Sequence, residues 1–104
     1  MLGEFEYFVL AAAARFGEQA YGVSIRKEIE RILGRDCSIG ALYTTLERLE
    51  VKGLIRTHMG EATSERGGRA KKMVRLTAKG RRAGAEFETA VRRMSTGLVW
   101  EAGA

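Results

Sequence analysis

Apolar residues recur three and four positions apart in four stretches of the chain, and two short runs of strand-forming residues separate the third stretch from the fourth. In the first stretch Leu2, Phe5, Val9, Ala12 and Phe16 share one face of a helix over about residues 3–16, which Gly17 closes. In the second, residues 21–34, Ile25, Ile29, Ile32 and Leu33 point inward and Gly34 supplies the left-handed residue at the end. The third covers about residues 39–52 with Leu42, Leu46 and Leu49 as its stripe; Ser38 is placed to cap it and Gly53 to end it. Residues 54–59 and 73–76 read as paired strands. Thr77 is the N-cap of a last helix over about residues 78–99, with Ala83, Phe87, Ala90, Val91, Met94 and Leu98 along one side.

Residues 35–37 leave a short link between the second and third helices, the layout of a helix-turn-helix. The outer face of the third helix carries Gly40, Tyr43, Thr44, Glu47 and Arg48, a small, hydroxyl-bearing and cationic set that suits a DNA major groove. Taken alone, it also describes an ordinary amphipathic helix with a polar exterior. The next segment tips the balance. Residues 60–72, between the strands, form a Gly-rich loop too long for a tight hairpin, with Arg66, Arg69, Lys71 and Lys72 gathered near its end. A basic wing beside such a helix gives two contact elements of one sign. The expected architecture is therefore mainly α with a small β-hairpin: a winged helix-turn-helix over residues 1–76 and a C-terminal dimerisation helix, residues 77–104, packed on the same domain.

A last helix of about 22 residues would be about 33 Å long, more than so small a domain covers with its own core. The surplus apolar face calls for a partner, and a second copy related by a two-fold axis is the commonest kind. The competing arrangement, in which this helix folds back wholly onto residues 2–16, would serve a monomer. Gly80, Gly84 and Gly97 weaken the helix intrinsically, so packing must hold it.

Composition agrees with this reading. The 104 residues suffice for one domain, and 18 Lys and Arg against 13 Asp and Glu give a net charge of +5, which favours an anionic partner. Nucleic acid fits better than a membrane surface, because no amphipathic segment sets a Lys/Arg-lined face against a bulky apolar one. With no membrane-length apolar run, and with Glu4 and Glu6 where a signal peptide would be basic, the protein reads as cytoplasmic. The single cysteine, Cys37, fits a reducing compartment. An enzyme is disfavoured: Cys37 and His58 make the only nucleophile–base pair, with no metal-ligand spacing and no phosphate-binding glycine motif around them. No catalytic residue, metal or cofactor is expected. Cys37 reads either as a small semi-buried residue or as a thiol activated by the start of the third helix. The rival binding class is a winged helix that serves as a protein–protein interaction module.

The chain resembles the PadR family of bacterial winged-helix transcriptional regulators over nearly its whole length to about Arg81. The matching stretches are residues 2–7, Ala20-Tyr21-Gly22, residues 38–46 with Arg48-Leu49-Glu50 and Lys52-Gly53-Leu54-Ile55, the wing end at residues 65–72, and Leu76-Thr77-Ala78-Lys79-Gly80. The resemblance implies a homodimeric repressor that binds an inverted-repeat operator, with the third helix in the major groove and the wing on flanking DNA. Carried over by position, Tyr21, Ser38, Gly40, Tyr43, Thr44 and Arg48 would contact DNA, as would Arg69, Lys71 and Lys72 of the wing. Phe5, Phe87, Val91, Met94 and Leu98 would build the dimer interface. Trp100 and Phe87 are candidates to line a space for a small-molecule effector between subunits. Three departures stand out: Ala70 where proline is common, Met73 where an aromatic is usual, and no extra helices after Trp100, which points to the short, single-domain subgroup.

Overall fold

The computed structural model describes residues 1–60 and 71–101. Its elements follow the hydrophobic pattern: helix α1 (Glu4–Phe16), a short 3-10 turn (Gly17–Gln19), α2 (Gly22–Leu33), α3 (Ile39–Val51), strands β1 (Ile55–Met59) and β2 (Lys72–Leu76), and α4 (Ala78–Ser95). The expected punctuation is in place. Gly34 and Gly53 take positive φ values of 66° and 75° beyond the ends of α2 and α3. The Ser38 hydroxyl accepts from the Ala41 amide at 3.2 Å and the Thr77 hydroxyl accepts from the Gly80 amide at 3.0 Å, capping α3 and α4.

The core lies where α1, α2 and α3 meet the sheet. Val9, Leu10, Ile25, Leu42, Leu46, Leu49, Ile55 and Val74 are fully buried. Burying each leucine of the α3 stripe is worth roughly 2 kcal/mol, so that stripe sets which face of α3 remains outside. The strands pair antiparallel, with Ile55 opposite Leu76 and Met59 opposite Lys72. A third rung joins them: the Val74 amide donates to the Ala20 carbonyl at 2.9 Å, and Tyr21 bridges to Met73. The link before α2 is thereby stitched to the returning wing strand.

Two expectations fail. Ile32, read as inward, is 47% exposed, because it lies on the rim of a groove between α1 and α2 that none of the described elements covers. The last helix stops at Ser95 rather than near Val99. There the Ser95 and Thr96 hydroxyls donate to the Val91 and Arg92 carbonyls, Thr96 turns extended, and Gly97 takes φ 83°. Leu98 therefore leaves the stripe assigned to it. At 18 residues α4 is about 27 Å long.

Candidate nucleic-acid interface

The outer face of α3 leaves Ser38, Gly40, Thr44, Glu47 and Arg48 exposed. Ser38 commits its oxygen to the cap, which leaves its hydroxyl proton free to donate outward. Ile39 at 53% and Val51 at 88% exposed are apolar groups not expected to be open; Val51 lies out of phase with Leu42, Leu46 and Leu49, which was the available signal, whereas Ile39 shares their phase and stands in the first turn of α3. Apolar groups so placed suit the methyl of thymine. The turn leading into α3 is held from α2: the Cys37 amide donates to Glu30 at 2.9 Å, and Arg26 Nε donates to the Cys37 carbonyl at 3.1 Å. Cys37 itself is buried, and burial, reinforced by the Glu30 charge, pushes its thiol pKa up. The activated-thiol reading is corrected accordingly: desolvation outweighs any help from the helix start.

Beside this face, four of the residues singled out from the sequence come together. Tyr21 is the N-cap residue of α2; its amide donates to Ser24 Oγ at 3.0 Å, and Ser24 Oγ donates back to the Tyr21 carbonyl at 2.9 Å. Tyr43 is not a freely extended outer residue as expected. It is half-buried, and its hydroxyl fills the space beside Gly22: a methyl on Gly22 would stand 2.6 Å from it. The ammonium of Lys71 sits over the Tyr21 ring, 4.4 Å from its centroid, and that of Lys72 lies 5.9 Å from the Tyr43 centroid. Glu50 accepts from the Thr57 hydroxyl at 2.7 Å and amide at 3.1 Å, which lowers its pKa, with a smaller contribution from Lys72. Arg69 and the wing tip lie outside the described residues. Two tyrosines, two lysines, a helix start and the outer face of α3 thus make one contiguous cationic and hydroxyl-bearing surface.

The model of the transcriptional regulator PadR-like family matches residues 9–86, a span that runs from within α1 to within α4. The chain belongs to that family. It is a DNA-binding transcriptional regulator of the winged-helix class. Among solved structures, this chain is similar to H. salinarum RosR (22% identity, TM-score 0.70, covering 94% of this chain and 81% of that one). It is also similar to a PadR family transcriptional regulator from Eggerthella lenta (25%, 0.68, 90% and 81%). A winged-helix DNA-binding protein from STIV matches at 21% identity and TM-score 0.73, covering 95% of this chain and 99% of that one. No curated protein matches the sequence.

In this PadR chain the residues assigned to the dimer interface divide. Phe5 packs against the chain's own core, and Phe87 stacks on Tyr7 with ring centroids 4.8 Å apart. Val91, Met94, Leu98 and Trp100 are exposed by 52%, 80%, 54% and 80%. The two residues proposed to line an effector space are therefore in different surroundings, Phe87 against its own α1 and Trp100 in the open. Among the described residues no group of three His, Cys, Asp or Glu could hold a metal ion, and no helix is long and apolar enough to cross a membrane.

Proposed function

We propose that this PadR protein is a cytoplasmic repressor that binds an inverted-repeat operator as a homodimer. The observation that carries the reading is the junction of Tyr21, Tyr43, Lys71 and Lys72 with the exposed face of α3. In this reading α3 enters the major groove, where Thr44, Arg48 and the Ser38 hydroxyl meet base edges, and Gly40 lets the duplex approach closely. Tyr21, Lys71, Lys72 and Arg69 hold phosphates, Lys71 and Lys72 as cations already oriented by the tyrosine rings. Residues 1–76 then form the DNA-binding unit and residues 77–104 the dimerisation unit. The exposed apolar pair Val91 and Met94 on α4, with Leu98 exposed beyond its end, supports the second copy, which would face it with the same residues. Trp100 is the aromatic group placed to stack on an effector between subunits.

The test is selection from random duplexes by the purified protein, with sequencing of the bound pool and measurement of bound stoichiometry. An enriched inverted repeat carrying two chains, with half-sites about one helical turn, roughly 34 Å, apart or a multiple of that, is the expected result. Absence of enrichment, with binding to random DNA at low salt only or none, would move the protein to the protein-partner class.

A further inference from the structure

The polar contacts around the C-terminal end of α3 are denser than its own termination requires, and they lead to α1 and to α4, the helix on which the proposed dimer depends. Lys52 Nζ reaches Glu6 Oε2 of α1 at 2.7 Å, and the other oxygen of Glu6 accepts the Gly3 amide at 2.8 Å. The Lys52 carbonyl accepts from Lys79 Nζ of α4 at 2.9 Å. The Thr77 hydroxyl donates to the Gly53 carbonyl at 2.7 Å, and the Thr77 amide donates to the Leu54 carbonyl at 3.1 Å. Gly80 is buried so closely on that turn that a methyl on it would stand 2.0 Å from the Leu54 oxygen. The last turn of α3, the first turn of α4 and the first turn of α1 are thus one joint, made of backbone carbonyls and three charged side chains.

We infer that this joint sets the spacing of operator half-sites, with Lys79 and Glu6 as positioning residues that fix the angle between the recognition helix and α4; the inference rests on the dimeric reading above. The leverage is large. Val91 and Met94 lie 11 and 14 residues beyond Gly80, so the proposed contact between subunits is about 20 Å from the joint. A tilt of about 10° there displaces α3 relative to the dimer axis by about 3.5 Å, one base-pair step along a strand. Neither residue is asked to touch DNA. Their effect is confined to where the two recognition helices stand.

The experiment uses the full chain, wild type and the double variant Glu6→Gln, Lys79→Met, on a duplex library with two fixed half-sites and a spacer of varied length. Arg82→Met is the control for loss of one exposed positive charge. Dimer state is followed by sedimentation and binding to random DNA by titration. A wild-type optimum at one spacer length that the double variant broadens or shifts by about one base pair, with the dimer intact and the control unchanged, is expected. A double variant that folds, dimerises and keeps the wild-type spacing profile overturns the joint as the determinant of spacing. If the double variant does not fold, Lys79→Met alone, which removes one exposed side chain's bond, is read by the same criterion. A wild type indifferent to spacing removes the dimeric-operator reading itself, and the inference with it.

Discussion

A methyl group on Gly80 would meet a backbone carbonyl that is itself hydrogen-bonded to Thr77, whereas one on Gly22 would meet the tip of the Tyr43 side chain, which can swing away. The same substitution should therefore have opposite signatures at the two sites. Gly80→Ala is expected to lower the unfolding free energy by about 3 kcal/mol, the upper range of overpacking costs, measured by urea denaturation. Gly22→Ala should stay within about 1 kcal/mol of wild type and should instead move the Tyr43 ring, weakening operator binding more than binding to random DNA. Cys37 gives a third expectation at this scale. With its sulfur buried and its pKa raised, alkylation of the folded protein by iodoacetamide should be at least about tenfold slower than in urea. Equal rates would mean that the turn before α3 opens readily.

At the scale of elements, the pattern in the chain was informative wherever burial followed a helical or alternating period, as it does for Leu42, Leu46 and Leu49. Caps at Ser38 and Thr77 and stops at Gly34 and Gly53 were legible because each has a local chemical cause. What was not legible depends on who covers whom. Ile32 has the same phase as Ile25, yet only the tertiary crossing of α1 over α2 decides that one is buried and the other sits on a groove rim. The end of α4 was masked by Leu98, whose spacing continues the stripe after the backbone has turned away. The Glu6–Lys52 contact joins residues 46 apart in the chain, which no local pattern reports. It carries a pH signature. The Gly3 amide, followed by Lys52, holds the Glu6 pKa below its ordinary 4.5, so ionised Glu6 stabilises the fold. That contribution is complete above about pH 5 and is lost as the pH falls through the folded-state value. The urea midpoint of the wild type should drop between pH 6 and pH 3, and Glu6→Gln should remove about 1 kcal/mol of that dependence.

For the molecule as a whole, the net charge of +5 pointed to an anionic partner, but only the fold shows Lys71 and Lys72 beside Tyr21 and Tyr43, from three separate parts of the chain. Two whole-molecule expectations follow from the proposed dimer. If it covers about eight phosphates, log K should fall with log salt with a slope near −7, and Lys71→Ala should flatten the slope while weakening all duplexes alike. Met94→Glu, at a position 80% exposed in the single chain, should leave the thermal midpoint of the fold nearly unchanged while shifting sedimentation toward a monomer. A dimer unaffected by that charge would place the contact elsewhere.

Helix α3 is fastened at its two ends, by Glu30 and Arg26 on the residue before it and by Lys52 and Gly53 behind it, while Gly40, Thr44, Glu47 and Arg48 between them make none of these side-chain bonds. Support and vocabulary are thus separable. If α3 reads DNA as proposed, these four positions could be exchanged as a cassette without loosening the scaffold, and rewriting them would change the operator at little cost in foldedness.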